Sequence, residues 1–125
     1  MFKMFMLVGV GSFFGGGSRY LVQQFITKIT SVPFPYGTMG VNIIGSFIIG
    51  IIFALSQRTN LVTTDIKMLL ATGFCGGFTT FSSFSLDTFG LIRDGEFVYA
   101  FSYVGLTLLL GFSATILAIQ LIKNI

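Results

Sequence analysis

The sequence predicts an all-α membrane protein: four crossing helices, the third interrupted at mid-membrane. Three observations predict it. The composition is too apolar for water: 54% of the 125 residues are hydrophobic and 9% charged, with mean hydropathy +0.93, against about 25% charged in a soluble domain. The apolar residues gather into four stretches, each near the roughly 20 residues a helix needs to cross a bilayer core. One of those stretches carries GFCGGFTTFSSF, from Gly73 to Phe84, at its centre. Glycines and threonines are poor helix formers, and a helix that breaks in hydrocarbon bares carbonyls and amides. Such groups are tolerated where they bind something or line a wet cavity.

The elements follow in order. The first stretch runs from about Met4 to Ile26, the second from about Tyr36 to Leu55, the third from about Ile66 to Ile92 and the fourth from about Phe97 to Ile122. Polar joins separate them: Thr27–Pro35 with two prolines, Gln57–Asp65, and Arg93–Glu96. The start, Lys3 followed by apolar residues, has the look of a signal peptide. The small residues Gly15–Ser18 run straight into Arg19 and further apolar sequence, so an uncleaved first span is expected. All 125 residues read as a single membrane domain.

Charge placement bears on orientation. With four crossings, the side holding both termini carries Lys3, Arg58, Lys67 and Lys123, and the opposite side carries Arg19, Lys28 and Arg93. Orientation follows a clear excess of basic residues on one side, and here the two sides nearly balance. All four tyrosines, Tyr20, Tyr36, Tyr99 and Tyr103, fall toward the second side. Two copies inserted in opposite orientations would complete both aromatic belts. Gly11 and Gly15, and again Gly73 and Gly77, have the four-residue spacing that lets helix backbones approach closely.

The same inventory excludes several functions. With no His, one Cys and four acids, metal-hydrolase, thiol-protease and disulfide chemistries lack their raw materials. Lone Cys75 reads as a small buried residue. The basic residues are scattered singly, which is the habit of membrane anchors and not of a nucleic-acid stripe.

Three groups and one charge pair stand out as candidate site residues. Phe81 and Phe84 are three apart, so they share a face of a helix that resumes after the break. Their ring edges carry the positive part of the aromatic quadrupole. Thr79, Thr80, Ser82, Ser83 and Ser85 set five hydroxyls beside them. On the second stretch Asn42 and Thr38 lie one turn apart, polar at a depth where polarity is costly. On the fourth, Thr107, Gly111 and Thr115 form an i, i+4, i+8 line. Together these would make a narrow track rich in neutral donors, suited to a small anion that must shed water and still leave. Arg19 and Asp87 lie at similar depth, where they would pair or form an anion-attracting mouth.

At these residues the chain resembles the Fluc (CrcB) fluoride ion channels. The likeness covers nearly the full length: GGGSRY from Gly15 to Tyr20, GTMGVNIIGSFIIG from Gly37 to Gly50, and GFCGGFTTFSSFS from Gly73 to Ser85. The last is the most specific. The resemblance implies an antiparallel, dual-topology dimer of four-helix subunits with two fluoride pores, in the bacterial inner (plasma) membrane, its partners being fluoride, lipid and a second identical or non-identical subunit. It implies a structural sodium ion at the dimer interface, held by the backbone carbonyls of Gly76 and Thr79. It places Phe81, Phe84, Asn42, Thr107 and Thr115 along the fluoride pore and Arg19 at the family's first-helix arginine; the reading of the residues themselves adds Thr38 and Ser83 to the pore and sets Arg19 and Asp87 at its mouth. Gly111 stands where relatives can carry a hydroxyl. The implied activity is passive fluoride export that protects against fluoride toxicity.

Two other classes compare poorly. A dual-topology small multidrug-type transporter relies on a carboxylate in its first helix, and the first stretch here has none; the acids are Asp65, Asp87, Asp94 and Glu96. A membrane enzyme such as a small lipid kinase needs clustered acids or a metal site, which this sequence does not offer.

Overall fold

Apolar runs with proline- or glycine-bearing joins set where helices begin and end. A computed structural model describes Met1–Ile125 throughout. The order is α1 (Phe2–Ile29), α2 (Tyr36–Arg58), α3 (Thr64–Lys67), a π-helical stretch (Met68–Cys75), α4 (Gly76–Phe78), α5 (Phe81–Arg93) and α6 (Phe97–Lys123). There is no strand. The fold is all-helical, as expected, and α3 through α5 form one composite third element.

The joins have local causes. Pro33 and Pro35 drive the residues before them out of helical backbone, and α1 ends before them at Ile29. Between α5 and α6, Gly95 takes φ 77, the only positive φ in the chain. That conformation suits glycine and closes a Schellman motif. The Glu96 amide donates to the Leu91 carbonyl at 2.8 Å and the Gly95 amide to the Ile92 carbonyl at 3.1 Å. At the other end of the molecule, Thr63 Oγ1 caps α3 by accepting from the Ile66 amide. Lys3 pairs with Asp65 at 2.7 Å, and Arg58 donates to the carbonyls of Ile122 and Lys123, a cation on the negative end of α6.

Packing runs in two pairs. α1 lies along the composite third element, and α2 along α6. Backbones touch at the glycines. A Cβ on Gly11 would collide with the Leu69 carbonyl, and one on Gly15 with the Phe74 carbonyl. A Cβ on Gly77 would stand 2.6 Å from the Ser12 carbonyl, and one on Gly50 2.7 Å from that of Thr115. Ser12 Oγ adds a hydrogen bond to the Gly73 carbonyl at 3.2 Å. The expected close approach at Gly11, Gly15, Gly73 and Gly77 is therefore a single seam, α1 against the third element. Replacing Gly15 by Ala forces backbone against backbone, and overpacking of this kind costs about 1–3 kcal/mol. Gly9→Ala, with nothing within 4 Å of its Cβ, is the control. Thermal denaturation in detergent is expected to be lowered by the first and left unchanged or raised by the second.

Only 19 of 125 residues are buried, so the chain cannot cover its apolar surface by itself. Its accessible area is 7958 Å², against roughly 6,600 Å² for a compact soluble chain of 13.6 kDa. Long, exposed apolar faces belong in lipid or against another chain. Length and composition alone mark α2 and α6 as able to cross a membrane. α1 is long enough, but glycines, serine and Arg19 dilute it, and the third element is divided. One small core cluster, Phe34, Leu91, Ala100 and Tyr103, closes the end near the α5–α6 join.

Candidate functional site

The site begins at two residues that leave the helix. Thr79 has φ −90, ψ 159 and Thr80 φ −151, ψ 115, extended geometry that β-branched side chains favour. The expected break is present, at the threonines of the glycine–threonine run. Gly73 and Gly76 are helical, Gly76 at φ −62, ψ −38; Gly73 and Gly77 serve packing against α1, and the threonines make the interruption. Before it, eight residues wind as a π-helix, a form common near functional sites.

Unwinding frees backbone groups, and a side chain from another helix takes them up. Asn42 Oδ1 accepts from the Thr80 amide at 2.7 Å, and Asn42 Nδ2 donates to the Thr80 carbonyl at 3.0 Å. The asparagine thus does for Thr80 what a neighbouring strand would do. Thr79 is held back on the old helix: its amide and its Oγ1 both donate to the Cys75 carbonyl, each at 2.9 Å. Thr80 Oγ1 then caps α5 by accepting from the Ser83 amide at 3.0 Å. Gly45 makes room, since a Cβ there would collide with Thr79 Cγ2.

Two carbonyls are left over. The Thr80 amide, which would close a helical turn onto the Gly76 carbonyl, goes to Asn42 instead, and the Thr79 carbonyl accepts nothing in the chain. Gly76 lies at the exposed surface. Arg19 occupies a neighbouring acceptor, its Nε donating to the Gly77 carbonyl at 3.0 Å, a cation at the end of a helical run.

Beside the break lies a cavity of about 450 Å³ lined by α2, the third element and α6, with no charged side chain in its wall. It brings together Asn42, Phe81, Phe84 and Thr107 with Gly76 and Thr79. The Phe81 and Phe84 rings meet edge to face, centroids 5.8 Å apart at 61°. Phe81 is 79% exposed, whereas Phe84 leans on Tyr103 at 5.1 Å. Thr107 is buried, and its hydroxyl has no hydrogen-bond partner. Thr115 is not in the wall; its Oγ1 donates to the Ser46 carbonyl at 2.9 Å.

Other expected residues stand apart. Thr38 accepts from Gln23 Nε2 at 3.2 Å and does not line this cavity, nor does Ser83. The expected pair of Arg19 with Asp87 does not form: Arg19 binds the Gly77 carbonyl, and Asp87 accepts from the Tyr103 hydroxyl at 3.2 Å. Backbone carbonyls bared at the break outcompete a carboxylate on a different face. Cys75 is buried, at 2% exposure. Ser46, in the cavity wall, is a residue that sequence reasoning missed; the signal was its place one turn after Asn42.

Comparison with known proteins gives the family. Residues 6–119 match the family described as "CrcB-like protein, Camphor Resistance (CrcB)". A Chlorobium chlorochromatii protein named fluoride-specific ion channel FluC is 48% identical over 114 residues, 91% of this chain and 88% of that one. A Chlorobaculum tepidum protein of the same name is 47% identical over 93% of this chain and 94% of its own. One from Leptospira interrogans, also so named, is 38% identical over 98% and 96%. Those names describe an ion channel and not an enzyme. With a match that spans most of its length, this chain belongs to the CrcB family.

Proposed function

We propose that the chain is a fluoride-selective channel, passing the ion passively down its gradient and so lowering cytoplasmic fluoride. The single observation that carries this is the uncharged, largely apolar cavity at the break, whose lining brings Asn42 and the unpartnered Thr107 hydroxyl together with Phe81 and Phe84. Fluoride is small and strongly hydrated, so entry requires close donors in place of water. Neutral donors and ring edges provide attraction without a fixed opposite charge that would trap the ion. The names of the relatives support the choice of ion.

The working unit in this reading is a dimer of two copies in opposite orientations, identical or paired with a related chain, each chain crossing the cytoplasmic membrane four times. The near balance of basic residues and the large uncovered apolar surface support it. The carbonyls of Gly76 and Thr79 fit a hard monovalent cation such as sodium, being neutral oxygens without helical partners at or near an exposed face. Two from each copy would make a four-oxygen cage and lock the interface. Arg19 keeps a role as a positive charge near the pathway, through its hold on Gly77, and Asp87 sits at the mouth under Tyr103. Thr38 and Ser83 belong to the approach and not to the constriction.

The test is ion efflux from liposomes holding the purified protein. Fluoride is expected to leave rapidly on addition of an ionophore for the counter-cation, and chloride to stay. Chloride efflux as fast as fluoride, or no fluoride efflux, would end this proposal.

A further inference from the structure

We propose that Ser46 is a direct ligand of the passing anion, supplying from α2 the hydroxyl that α6 lacks at Gly111. The inference rests on the channel reading above and adds a specificity-determining residue to it. On α6 the unpartnered hydroxyl is that of Thr107, whereas Thr115, eight residues or about 12 Å further along the axis, donates to the Ser46 carbonyl. Gly111 sits at the midpoint with no side chain to offer.

Ser46 faces that gap. A Cβ built on Gly111 has Ser46 Oγ as its only neighbour, at 3.6 Å. Ser46 lies in the cavity wall together with Thr107. Thr107 is 8% exposed, with its hydroxyl unpartnered, an expense that a buried polar atom bears where a ligand is to come. The bond from Thr115 Oγ1 to the Ser46 carbonyl at 2.9 Å pins the register of α2 against α6 at this level. The donor line therefore crosses from Thr107 on α6 to Ser46 on α2. Without an anion, the Ser46 hydroxyl donates to the Asn42 carbonyl at 2.7 Å. Rotation about χ1 turns it to the ion, exchanging a neutral hydrogen bond for a charge-assisted one.

The experiment moves the hydroxyl across the gap. Ser46→Ala is expected to slow fluoride efflux from liposomes by about tenfold or more, the usual weight of one hydrogen bond to a charged group. Gly111→Ser introduces a hydroxyl at a position where the added Cβ meets only Ser46 Oγ, at an ordinary contact distance of 3.6 Å. The double variant, Ser46→Ala with Gly111→Ser, is expected to recover most of the flux. A merely structural Ser46, needed for its bond to Asn42, would not be rescued from the opposite helix. Ser46→Ala with unchanged flux, or a double variant as slow as Ser46→Ala, overturns the inference while wild-type fluoride efflux leaves the channel reading standing. Wild-type protein that passes no fluoride sinks the channel reading first.

Discussion

Asn42→Ala is expected to slow fluoride efflux by about a hundredfold or more and to loosen the fold as well, since two hydrogen bonds to one buried residue are lost together. The cause is the clamp on Thr80. Its amide and carbonyl sit at a residue 9% exposed, and both are paired with Asn42. Alanine leaves them without partners in an apolar setting, at about 1–3 kcal/mol for each group. Asn42 also lines the cavity. Flux and stability should therefore fall together, read as liposome efflux and as thermal denaturation in detergent. Size-exclusion elution should stay that of the wild type, because the glycine seam between α1 and the third element is untouched. An Asn42→Ala protein within about threefold of wild-type flux, less than one hydrogen bond's worth, would show that the clamp is not part of the pathway.

Phe81→Ile separates the two effects. Phe81 is 79% exposed in the chain and supports no core residue, so stability should change by less than about 0.5 kcal/mol, as for surface positions in general. Isoleucine preserves apolar bulk but removes the ring edge, the one part of this side chain that attracts an anion. Flux is expected to fall by about a hundredfold, larger than the roughly 0.5–1.5 kcal/mol of an ordinary aromatic pair because the ion has shed its water there. Phe84→Ile should lose flux and stability together, since its ring also packs on Tyr103 at 5.1 Å. Unimpaired fluoride efflux in Phe81→Ile would remove the ring edges from the mechanism.

Much of the site was legible because its signals are local. Phe81 and Phe84 share a face by helical period alone, and the structure sets them edge to face. Asn42 announced itself by polarity in an apolar run, and it is in the cavity with Thr107. What was misread depended on competition between partners. Arg19 and Asp87 matched in depth, yet each found another partner: a carbonyl 58 residues away for Arg19, and a tyrosine hydroxyl for Asp87. The interruption was read across Gly73, Gly76, Gly77, Thr79 and Thr80 together. All three glycines are helical, Gly73 and Gly77 in tight contact with α1, and the chain turns extended at Thr79 and Thr80.

The chain alone decided the helical class, the division into four apolar stretches, and the presence of an interruption in the third. Those follow from composition, period and propensity, which act within a turn or two of backbone. Tertiary packing decided where the interruption falls, how eight residues before it wind, and which carbonyls stay free. Asn42 and Thr80 lie 38 positions apart, and no local rule joins them. A buried backbone group must find a donor or acceptor wherever the fold brings one, and only the assembled helices say which side chain arrives.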